Sequence, residues 1–243
     1  MAKIPKDPKD IFNQLTKDYQ DIYGRDLVSI LLYGSAASGN YIPKKSDINL
    51  LIVLTEEGIN RLQQSFKTVE KWYKRKVSTP LLLTKSYISS SLDSFPIEFL
   101  NMQNNYQMVF GDDVLQELVF DKHHLRLQCE KELKGKLLQL RQVFLESGGK
   151  KKNLTFIIGR SLTAFISIFR ALLYLKDKTV PSELRSIISL VSQEFGVDEQ
   201  TFVNLLQIKE GTGKLSSGAL SSLFESYIRE VRKLAYAVDQ LST

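Results

Sequence analysis

The stretch that most limits the fold is LLYGSAASGNYIPKKSDINLLIVL, Leu31 to Leu54. Two apolar runs, LVSILLY and the tail of DINLLIVL, flank a small and polar loop. Short apolar runs bounded by turn formers read as strands buried on both faces. Gly34 allows a tight turn and close approach of a ligand to the backbone, and Ser35 adds a hydroxyl. Side chains alternate along the second strand, so Asp47 and Asn49 share one face while Ile48 and Leu50 point into the core. Two polar side chains therefore stand beside a turn suited to phosphate oxygens. Hard cations such as Mg2+ take oxygen ligands and share them with substrate phosphates. Two such ions can clamp the attacking and leaving oxygens of a phosphoryl displacement.

The surrounding pattern is α/β. Asp7 and Pro8 read as cap and first residue of a helix that carries Ile11, Phe12, Leu15, Tyr19 and Ile22 and stops at Gly24. A helix is expected over 56–74, a strand at VSTPLLLT with Pro80 marking an edge or a bulge, and a fourth strand at FPIEFLNM. From Asp121 the period becomes helical throughout. Helices are expected over 125–144, 154–176 and 182–195. Another runs from a cap at Asp198 to Gly211, and a last one covers 217–241. The fold expected is an α+β domain over 1–120, a mixed sheet with flanking helices, followed by an all-α helical bundle over 121–243.

Residues 1–120 hold 14 Lys and Arg against 14 Asp and Glu, so the net charge of +6 lies wholly in the second half. Most of that excess reads as solvated helix surface, and no dedicated nucleic-acid-binding domain is evident. The single cysteine, Cys129, permits no internal disulfide and suits a cytoplasmic protein. The opening, MAKIPKDPKD, lacks the apolar core of a secretory signal. Arg160 and Arg170 interrupt the most apolar long segment, which reads as a buried helix and not a membrane span.

Gly34-Ser35 followed by Ser46-Asp47-Ile48-Asn49 resembles the signature of nucleotidyltransferases with the DNA polymerase beta fold: Gly-Ser, a short loop, then Asp-x-Asp in an apolar strand. The layout, with a helical bundle following, is similar to the small adenylyltransferases that act on streptomycin and spectinomycin. The resemblance implies transfer of a nucleoside monophosphate from an NTP, ATP first among them, to a hydroxyl of an unspecified acceptor, with Mg2+ or Mn2+ assisting. It also implies roles. Gly34, Ser35 and Ser46 would hold the nucleotide, and Asp47, Asn49 and Glu98 the metal. Asp47 and Glu98 would carry the chemistry, Glu98 as third ligand or as base. Asn49 departs from the motif: an amide stands where the family has a second carboxylate. That departure supports a rival reading, a catalytically impaired nucleotide-binding or regulatory protein on the same fold. An antitoxin-type nucleotidyltransferase is a third.

Other groups read more plainly. Asp93, Asp112 and Asp113 compete with Glu98 for the third acidic position, although Asp112 and Asp113 suit a cap for the segment that follows. His123 and His124 mark a helix start. Arg126, Glu130 and Lys134 form a surface ladder four residues apart, with Arg126 or Lys134 on a triphosphate as the sharper alternative. Arg160 and Arg170 call for carboxylate or phosphate partners. Cys129 belongs to an apolar stripe.

Overall fold

The computed structural model describes residues 4–39 and 41–242. Residues 1–3 of the opening stretch, Asn40 in the motif loop and Thr243 lie outside the described residues. By internal packing the chain divides into Met1–Asp93 with Phe99–Val119, and Ser94–Glu98 with Phe120–Thr243.

In the first unit Asp7 accepts the Lys9 N–H at the start of a 3-10 turn, Pro8–Ile11, which runs into α1, Phe12–Tyr23. β1 (Leu27–Tyr33) and β2 (Asn49–Leu54) come next. Then follow α2 (Glu56–Ile59), α3 (Phe66–Tyr73), β3 (Leu81–Thr84) and α4 (Lys85–Ser90). α5 (Pro96–Asn104), whose first three residues count with the second unit, and β4 (Tyr106–Gly111) close the set. The sheet order is β3-β2-β1-β4. β1 runs antiparallel to β2 and β4, and β2 parallel to β3, so the sheet is mixed. β3 is an edge strand, and Pro80 stands just before it. Ile30 and Leu32 of β1, with Leu50, Ile52 and Leu54 of β2, pack with Leu15, Tyr19 and Tyr23 of α1 and with Trp72 of α3. Leu31, Leu51 and Val53 on the opposite face are buried as well, which explains the unbroken apolar runs.

Two expectations fail here. The 56–74 helix is broken into α2, a 3-10 turn at Leu62–Ser65, and α3. Asp26 ties this stretch to the start of β1: it accepts from Thr55 Oγ1 at 2.8 Å, pairs with Arg61 just after α2, and lies close to where a Cβ on Gly58 would stand. FPIEFLNM is the start of α5 and not a strand, and the fourth strand is β4, which the sequence reading missed. Pro96 opens α5, where a missing N–H costs nothing.

The second unit contains α6 (Lys122–Ser147), α7 (Lys151–Leu175), α8 (Leu184–Phe195), α9 (Glu199–Glu210) and α10 (Ser217–Asp239). Asp121 caps α6 through the N–H groups of His123 and His124, and Asp198 caps α9. α6 packs on α7 and α10, and α7 also on α8 and α9. Phe165, Phe169, Phe202, Phe224 and Tyr227 meet mostly edge to face in the centre, an arrangement that suits ring quadrupoles. α7 is long and apolar enough to cross a membrane. Its eleven buried residues, Leu154 to Leu175, are part of the bundle core.

Candidate functional site

The Gly34–Ser35 turn follows β1 directly. Gly34 has φ +78, in the region where a side chain is strained. Its N–H donates to the Asn105 carbonyl at 3.1 Å, and its own carbonyl accepts from Ala37 and Ser38. Asn49 pairs with Tyr33 across the β1–β2 ladder. This register carries the Asn49 amide to Gly34, where a Cβ would lie 3.4 Å from its Nδ2. The turn and the altered motif position are therefore neighbours, as the sequence reading expected. Ser35 is exposed, and its carbonyl accepts the Ser38 hydroxyl.

Ser46 has a structural task. Its hydroxyl accepts the Ile42 N–H at 3.0 Å, and its N–H returns to the Ile42 carbonyl at 2.8 Å, closing the loop ahead of Asp47. Asp47 is exposed just before β2, and Ile48 is fully buried in the core behind it. Burial, then the charges of Asp10 and Asp47, push the Tyr41 phenol above its ordinary pKa.

A residue the sequence reading did not single out stands beside Asp47. Lys76 Nζ lies 3.8 Å from Asp47 Oδ1. The backbone places it there. The Lys76 carbonyl accepts the Ile48 N–H at 2.9 Å, and Ile48 forms a parallel bridge with Val77. The run KWYKRKV, after a helical pattern and before a strand, was the available signal. Only the backbone pairing of Ile48 connects it to the motif.

Glu98 does not have the strand setting expected of it. It is exposed in the first turn of α5, where a carboxylate is favoured by the helix dipole. Gln128 Nε2 donates to it at 2.7 Å, while Gln128 Oε1 accepts the Ile97 N–H at 2.8 Å. One glutamine thus caps α5 and fixes Glu98. Glu98 and Gln128 belong to the helical unit, Asp47 and Asn49 to the sheet unit. Of the competitors, Asp112 pairs with Lys85 at 2.7 Å, and Asp113 accepts from Leu115, Gln116 and the Tyr106 hydroxyl. That last contact, after burial, raises the Tyr106 pKa to about 12.

A divalent cation does not fit the motif residues. Mg2+ wants oxygen ligands with charge enough to repay its dehydration. Asp47 brings one negative charge, Asn49 none, and the nearby Lys76 ammonium offsets the first. Among the described residues no three His, Cys, Asp or Glu side chains gather into a metal-binding group.

The remaining candidates are structural. Arg126 and Lys134 both pair with Glu130, at 2.8 and 2.6 Å. Arg160 lies over the Phe156 ring, and Arg170 is half-buried, with burial lowering its pKa. Neither has a carboxylate partner among the described residues, contrary to the pairing expected. Cys129 is fully buried, and burial raises its thiol pKa well above the ordinary range.

No family model matches the sequence, and no curated protein matches it. Among solved structures, the chain is similar to the spectinomycin adenyltransferase AAD(9) from Enterococcus faecialis with ATP and spectinomycin. The TM-score is 0.53 at 12% identity, covering 96% of this chain and 99% of that one. At that identity the likeness is one of fold, and the fold is nucleotidyltransferase-like: a mixed sheet with flanking helices, followed by a helical region.

Proposed function

We propose that this chain binds a nucleoside triphosphate, ATP first among them, at the Gly34–Ser35 turn, and that its nucleotidyl transfer is impaired. One observation carries the reading. The Asn49 amide packs at Gly34, in the position where the resembled motif has its second carboxylate. A site without that charge lacks what two-ion phosphoryl chemistry needs. In this reading Gly34 and Ser35 cradle phosphate, 1–120 is the nucleotide domain and 121–243 its helical partner. The lone buried Cys129 suits a cytoplasmic location.

The test has two parts. ATP, GTP, CTP and UTP are titrated by calorimetry, each with and without Mg2+; binding of at least one at millimolar concentration is expected. Pyrophosphate release is then followed with ATP, Mg2+ and either spectinomycin or streptomycin, and none above the acceptor-free rate is expected. A second reading is favoured by the full-length likeness to an adenyltransferase. There the chain transfers AMP to a small-molecule hydroxyl, with Glu98, held by Gln128, as the base. Acceptor-dependent release that is lost in Glu98→Gln would establish it.

A further inference from the structure

Lys76 is held in a conformation that lysine does not favour. The end of α3 closes with two reversed hydrogen bonds, Val77 N–H to the Trp72 carbonyl at 3.2 Å and Lys76 N–H to the Tyr73 carbonyl at 3.1 Å. This is the Schellman closure, and the residue at its left-handed position is usually glycine. Here it is Lys76, with φ 67. The hydrophobic contact that accompanies such closures is present too, since Trp72 and Val77 are both buried in one core cluster. Among the described residues only Lys44, Lys76 and Asp177 combine a positive φ with a side chain. Lys44 stands three residues before Asp47, and Lys76 stands beside it in space.

The fold therefore accepts backbone strain to hold a lysine at this point. The ion pair it gains is no compensation: both side chains are about half exposed, and such pairs contribute little. The closure would form as well around glycine, so the presence of a lysine there is a reason to look for function. An ammonium offers three donors, and Asp47, at 3.8 Å, does not use them up. Lysine binds phosphate as a compact positive charge.

We propose that Lys76 takes the place of a divalent cation at Asp47, so that the chain binds the phosphates of a nucleoside triphosphate without metal. Asp47 then orients the ammonium instead of ligating an ion. This inference rests on the nucleotide reading above and adds to it the form of the ligand, the metal-free polyphosphate. The neutral Asn49 becomes consistent with the site: a second carboxylate there would repel the phosphates that Lys76 attracts.

The experiment is an ATP titration by calorimetry, in excess EDTA and in excess Mg2+, on the full chain and on Lys76→Gly and Lys76→Asn. Both replacements tolerate the left-handed backbone and remove the charge. The expected result is comparable affinity of the native chain in the two buffers. Each variant should bind at least tenfold more weakly in EDTA, about 1.4 kcal/mol, with a melting temperature no lower than native. If the native chain binds only with Mg2+, or if both variants bind normally in EDTA, the Lys76 proposal is overturned while the nucleotide reading stands. If the native chain binds in neither buffer, both are overturned.

Discussion

Gly34 and Lys76 share a left-handed backbone and have opposite residues for it. At Gly34 the conformation is cost-free, and it lets β1 end in a turn that meets the Asn49 amide. Gly34→Ala should destabilise the protein by about 1–2 kcal/mol, the usual penalty for a side chain in this region. Chemical denaturation measures it, and an unchanged midpoint would show that the turn relaxes to another conformation. The contact itself adds little, because 3.4 Å is ordinary packing for a Cβ. At this scale the sequence was informative about Gly34 and Asn49, which the strand register brings together, whereas Asp47 lies just before β2 and not within it. The sequence was silent about Lys76, since a left-handed φ at the end of a helix is a consequence of how that helix is closed.

The same contrast runs through the elements. β1 and α9 were legible to the residue or nearly so: an apolar run broken only by Ser29 defines the first, and Asp198 and Gly211 bracket the second. α5 was not, because a short apolar run fits strand or helix equally. The discriminating signal is Pro96 with Glu98 two residues later, the pattern of a helix start. β4 was obscured for a related reason: its residues are half-buried and lack a clean alternation.

α1 and α3 are joined through Asp18, which accepts from Trp72 Nε1 at 2.9 Å and Gln14 Nε2 at 2.9 Å and pairs with Lys71. Burial alone would raise its pKa, but the Lys71 and Gln14 hydrogen bonds, the Lys71 charge and the Trp72 donor together hold it below the ordinary value. A depressed carboxylate contributes stability that is fully present above its unfolded pKa of about 3.9 and is lost as pH falls through the folded value. Asp18→Asn should therefore cost about 1–2 kcal/mol at pH 7. The difference from the native chain should shrink as pH falls below about 4. Melting curves across that range check it; a gap that stays constant would mean the charge on Asp18 contributes nothing.

At the scale of the whole molecule, a nucleotidyltransferase-like fold is combined with a motif that has exchanged charge for an amide. The fold was readable because the change from mixed to purely helical periodicity at Asp121 is abrupt. The chemistry was only half readable. The motif named Asp47 and Asn49, and Pro96 with Glu98 carries the mark of a helix start, but the lysine beside Asp47 depends on a pairing of Ile48 with Val77 that no local pattern encodes.

The central claim is that these residues hold no divalent cation. It is tested most directly by melting the native chain and Asn49→Asp, each with and without Mn2+. The added carboxylate restores a negative charge beside Asp47 and gives a cation two acidic ligands. A ligand that binds only the folded state raises the melting temperature. The native chain should show no rise with Mn2+, and Asn49→Asp a rise of about 2–4 °C, which corresponds to about 1 kcal/mol in a protein of this size. A clear rise in the native chain would contradict the account, because it would show that the native residues already bind the metal.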